Sequence, residues 1–176
     1  MNEKMSKEKL EVLVVDDEPD WLATTTDFLE DMGYHVATAS DSYKAIDQLA
    51  VRLYRKESMP DIYLCDMQDR RYIISVIGVS ENPHNEVNPE DIKDVHPSMA
   101  FNLHNYLSSK GNKPEFLIGF TNFICAEDKI TASRLKIPLV GKEERDNFSS
   151  IFPDINGLTR EDALKKFRDN YSKYKQ

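Results

Sequence analysis

Apolar residues in this chain fall into short unbroken runs, separated by stretches in which they recur every three or four positions. The runs are "LEVLVV" (10–15), "DIYLCD" (61–66), "EFLIGF" (115–120) and "IPLV" (137–140), and "YHVATA" (34–39) alternates. Uninterrupted runs of this length predict strands buried on both faces; alternation predicts a strand with one wet face. Between them the period changes. Leu22, Thr25, Leu29 and Met32 share one face of a helix that opens at Pro19 and stops at Gly33. Asp41 is a good N-cap for a helix carrying Ala45, Ile46, Leu49 and Leu53. Met99, Leu103, Tyr106 and Leu107 predict a third helix, closed by Gly111, and residues 124–134 a short fourth. The last opens with a capping box, Thr159 with Asp162 three residues on, and buries Leu164, Phe167, Tyr171 and Tyr174.

Strand alternating with helix five times predicts an α/β fold: a five-stranded parallel sheet, right-handed crossovers and helices on both faces. One domain over 10–176 is expected, with residues 1–9 a disordered lead. Regularity lapses after Met67, and 69–96 reads as an insertion whose β-prone part is "YIISVIGV" (72–79). Residues 143–158 read as an extended loop before the last helix.

Composition narrows the function. The 176 residues carry 23 basic and 31 acidic side chains, a net charge of -8. Direct binding to nucleic acid is disfavoured by that balance. No apolar run is long enough to span a bilayer, and the charged start "MNEKMSKEKL" lacks the core of a secretory signal. A cytoplasmic protein without a membrane partner is expected, with Cys65 and Cys125 reduced. His84, His96 and His104 read as surface or linker positions.

In parallel α/β sheets ligands gather at the carboxyl ends of the strands. Asp16 and Asp17 end the first strand, Asp66 the third and Thr121 the fourth, and Lys142 follows the fifth. Adjacent carboxylates repel one another but become favourable around a hard divalent cation, for which Mg2+ is the natural choice. A carboxylate can also attack phosphorus to give an aspartyl phosphate. A cation, an ammonium and a hydroxyl together would offset charge on a transferring phosphoryl group.

The blocks "VLVVDDEP", "PDIYLCDM", "FLIGFT" and "PLVGK" resemble the signatures of the CheY-like receiver domain of two-component response regulators. The resemblance implies a flavodoxin-like sheet of order 2-1-3-4-5 and a phosphoacceptor rather than an enzyme. It implies that Asp66 takes the phosphoryl group, aided by Thr121 and Lys142. Asp16, Asp17, Asp66 and the carbonyl of Gln68 would hold Mg2+. The partners implied are a sensor histidine kinase or phosphotransfer protein and a downstream protein, with a homodimer left open. The chain departs from the pattern at three positions besides the insertion. Asn122 replaces a small residue after Thr121, Leu139 an aromatic on the fifth strand, and Glu143 a proline after Lys142. Two other readings stand beside the acceptor: a receiver-like interaction module no longer phosphorylated, and a Mg2+-dependent phosphohydrolase.

Overall fold

The computed structural model describes residues 9–67, 98–122, 126–142 and 145–174. The lead 1–8, the expected insertion at 69–96, Gln68, Cys125 and Glu143 lie outside the described residues. Five parallel strands form one sheet in the order β2-β1-β3-β4-β5. They are β1 (Glu11–Val15), β2 (His35–Ala39), β3 (Ile62–Asp66), β4 (Phe116–Thr121) and β5 (Leu139–Gly141). The helices are α1 (Pro19–Asp31), α2 (Ser42–Arg55), α3 (Met99–Ser109), α4 (Ala126–Leu135), α5 (Arg145–Ile151) and α6 (Arg160–Tyr174). Every residue of β3 and β4 is buried, as their continuous apolar runs require.

Side chains alternate across the sheet with a period of two, and this splits the core cleanly. Val12, Val14, Ile62, Leu64, Phe116, Ile118, Phe120 and Val140 face the layer holding Leu29 of α1 and Phe167 of α6. Leu13, Val15, Tyr63, Cys65 and Leu117 face the opposite layer, with Leu49 of α2 and Leu103 of α3. Continued past the strand ends, the same parity puts Asp16, Asp66 and Lys142 on the α1 side, and Thr121 on the other.

The helices begin and end where their local chemistry dictates. Asp41 caps α2 by accepting the backbone N–H of Lys44 at 2.9 Å. At the end of α1, Tyr34 N–H donates to Leu29 O and Gly33 N–H to Glu30 O, a Schellman closure that needs Gly33 at φ 97°. Thr159 caps α6 by accepting the N–H of Asp162 at 3.2 Å, while its own hydroxyl donates to the Asp162 carboxylate at 2.7 Å. The shorter aspartate thus returns its bond to the hydroxyl, where a full capping box would return it to the backbone.

The residues expected on the inner faces need small corrections. Ala163, Phe167 and Tyr171 are buried in α6, whereas Leu164 and Tyr174 are half-buried. In α3 the inner position goes to Ala100, and Tyr106 is half-buried. A larger correction concerns 143–158, expected as an extended loop. It contains α5, because Phe148, Ile151 and Phe152 fall on one helical face and pack into the α1 layer. Phe148 meets Phe28 edge-on at 5.4 Å, and Phe152 does the same to Tyr34 at 5.6 Å. The segment after α5 then closes the end of α1: Ile155 N–H donates to Met32 O, and Asn156 Nδ2 to Asp31 O. Among the described residues no helix is long and apolar enough to cross a membrane.

Candidate functional site

The site is built where β1, β3, β4 and β5 end together. Asp16, Asp17 and Asp66 offer carboxylate oxygens that all lie within 4.8 Å of one another. Asp16 is fully buried, Asp66 is 4% exposed and Asp17 is half-buried. Three carboxylates this close and this dry repel strongly, so something must offset them. Lys142 supplies one positive charge. Its Nζ is 2.7 Å from Oδ2 of Asp66 and 2.7 Å from Oδ2 of Asp16, with the Lys142 side chain wholly buried. Shared strand parity makes that double contact possible.

One ammonium does not saturate the cluster. Oδ1 of Asp17 is buried without a hydrogen-bond partner among the described residues. Oδ2 of Asp16 touches Lys142 as an ion pair but lacks an aligned hydrogen bond. Buried oxygens in that condition are what a hard cation coordinates, so the donor set fits a divalent ion. Burial pushes the Asp16 carboxyl above the usual carboxylate range, only partly countered by Lys142 and by the Glu18 N–H that donates to its Oδ1 at 2.8 Å. For Lys142, burial alone would lower the pKa, but Asp66 and Asp16 outweigh it and hold the ammonium charged.

Thr121 closes β4 with 1% exposure, and its carbonyl accepts the N–H of Lys142 at 2.8 Å, which ties the β4 and β5 ends together. The Lys142 ammonium also lies 4.9 Å from the centre of the Phe120 ring and 5.6 Å from that of Trp21. These aromatic walls, with Phe28 and Phe148, surround a cavity of about 190 Å³ behind the lysine. The structure therefore brings together Asp16, Asp17, Asp66, Thr121 and Lys142. Gln68, the remaining expected ligand, lies outside the described residues.

Two features went unread in the sequence. Asn122 Nδ2 donates to Glu18 Oε1 at 3.0 Å, joining loops 104 positions apart. Asn122 stood out as a departure, but nothing in the sequence pairs it with Glu18. The contact of Trp21 with Lys142 was equally hidden. Two residues outside the site also need placing. His104, expected at the surface, is half-buried in α3, and burial lowers its pKa. Cys65 is a free thiol buried in the second core layer, where burial raises its pKa and keeps it inert.

No family model matches the chain, and no curated protein matches it in sequence. Solved structures do share its shape. The chemotaxis protein CheY4 of Vibrio cholerae superposes with a TM-score of 0.52 at 14% identity, over 92% of this chain and 98% of that one. A response regulator from Burkholderia pseudomallei, with a phosphorylated aspartic acid, a calcium ion and citrate, gives 0.51 at 13% identity over 94% and 70%. A mutant receiver domain of the histidine kinase CKI1 from Arabidopsis thaliana gives 0.51 at 14% identity over 76% and 80%. The chain has the CheY-like receiver fold.

Proposed function

From that fold and its acidic edge, we propose that the chain is a response-regulator receiver that accepts a phosphoryl group on Asp66. The observation that carries the reading is the convergence of Asp16, Asp17 and Asp66 to within 4.8 Å of one another, with Lys142 Nζ 2.7 Å from both Asp16 and Asp66. A carboxylate oxygen of Asp66 attacks phosphorus in a phosphohistidine or acyl phosphate. The new O–P bond forms as the bond from phosphorus to the donor nitrogen or oxygen breaks, and the leaving group keeps the electron pair. Lys142, freed from part of its pairing with Asp66, offsets charge on the incoming oxygens, and Thr121 stands at the next strand end to bond them.

Asp16, Asp17 and Asp66 would hold Mg2+, which when bound supplies positive charge against the phosphoryl oxygens. The aspartyl phosphate and calcium ion of the Burkholderia protein support both parts of the proposal by likeness of fold. The CKI1 receiver belongs to a histidine kinase, which supports a sensor kinase or phosphotransfer protein as donor. Output then passes by protein contact to a downstream partner. The chain acts in the cytoplasm as a phosphoacceptor rather than an enzyme turning over an external substrate.

Incubation with acetyl phosphate and Mg2+ should add the mass of one phosphate, and Asp66→Asn should abolish the gain. An unmodified native chain under those conditions would instead favour an interaction module that has kept the fold without the chemistry.

A further inference from the structure

Asp66 is 4% exposed, yet any donor must bring phosphorus into contact with its oxygen. Something over the site must therefore open. In the sheet β3 lies between β1 and β4, so Asp66 sits between the ends of those two strands. Glu18 lies three residues past the end of β1, and Asn122 immediately follows β4. A hydrogen bond from one to the other must cross the end of β3, a span of about 10 Å at ordinary strand spacing. That bond exists, Asn122 Nδ2 to Glu18 Oε1 at 3.0 Å. Both side chains are half-buried.

We infer that the Glu18–Asn122 hydrogen bond is a latch across Asp66 that sets how often donor and water reach it. The acceptor reading supplies its purpose, but the latch can be tested without phosphorylation. The Glu18 backbone is held by its N–H to Oδ1 of Asp16, so the side chain turns about a fixed point when the bond to Asn122 opens. A half-buried side-chain hydrogen bond is weak enough to break spontaneously and strong enough to keep the site shut most of the time. The open fraction then multiplies every rate that depends on contact with Asp66 from outside. Glu18 also holds a negative charge at the mouth, where it repels a phosphate donor while the latch is shut.

A latch and a merely structural contact differ in what they predict. Asn122→Ala should speed both acceptance from acetyl phosphate and hydrolysis of the aspartyl phosphate, by the same roughly three- to tenfold factor that one such bond permits. Glu18→Ala should give that factor in hydrolysis, and the double variant should give no more than either single change. Glu18→Gln keeps an acceptor oxygen and should hydrolyse at the native rate.

Access is read independently by Asp66→Cys combined with Cys125→Ser, using a small methanethiosulfonate reagent. Cys65 is fully buried and stays silent. The introduced thiol should label several-fold faster when Asn122→Ala is added, and at an unchanged rate with Glu18→Gln. Faster labelling in a chain that takes no phosphate would keep the latch and sink the acceptor reading. Labelling indifferent to Asn122→Ala, or additive effects of the two alanine changes, would overturn the latch.

Discussion

Nζ of Lys142 stands 2.7 Å from Oδ2 of Asp66, with both side chains almost wholly inside the protein. The contact joins the ends of β3 and β5 across the intervening β4. There the ammonium offsets the charge of a carboxylate that the surrounding protein has taken out of water.

Removing that ammonium should destabilise the metal-free protein markedly. Lys142→Met leaves Asp16 and Asp66 buried without their counter-charge, and breaking such a pair costs about 3–5 kcal/mol. Urea denaturation with a chelator present should show the full loss. Added Mg2+ should recover part of it by replacing the missing positive charge. A loss under about 1 kcal/mol in chelator would mean that the pair is far more solvated than its geometry implies.

Trp21 should report a cation entering the site. Its ring lies 5.6 Å from the Lys142 ammonium, whose two carboxylate partners are the groups a cation would draw away. Emission should change on Mg2+ titration with a midpoint near the millimolar range, equivalent to about -4 kcal/mol. The change should vanish in Asp17→Asn, and a flat native titration would argue against a preformed site.

Alkaline pH should weaken the fold through Tyr171. Burial raises its pKa to about 12, and its neutral hydroxyl donates to Leu117 O at 3.1 Å. Because the folded value lies above that of an unfolded tyrosine, this contribution is complete below pH about 10 and is lost as pH rises toward 12. The loss from this residue should be roughly 2–3 kcal/mol. Tyr171→Phe should flatten the decline between those limits when denaturation is followed at each pH. An equally steep decline in the variant would assign the effect to other buried groups.

Gly33→Ala should be costly despite its small size. The residue sits at φ 97°, and an added Cβ would come 3.0 Å from the backbone nitrogen of Asn156. Strain at that backbone angle costs about 1–3 kcal/mol, and the displaced segment is the one that caps α1. A thermal midpoint within a degree of the native value would show that the loop yields freely.

The sheet and its reactive edge were legible from sequence for a simple reason. Strands buried on both faces must be apolar throughout, so "LEVLVV", "DIYLCD" and "EFLIGF" declared themselves, and the polar residues closing them, Asp16, Asp66 and Thr121, had to share one edge. The strand period of two also fixes that Asp16, Asp66 and Lys142 fall on one face. The helix α5 stayed hidden because "RDNFSSI" has little intrinsic helix preference and gains its stability from where Phe148, Ile151 and Phe152 land. The pairing of Glu18 with Asn122, like that of Trp21 with Lys142, joins positions more than a hundred residues apart. Local pattern reflects only what a residue needs from its near neighbours, whereas side chains brought together by separate strand ends meet only once the whole sheet has set their spacing.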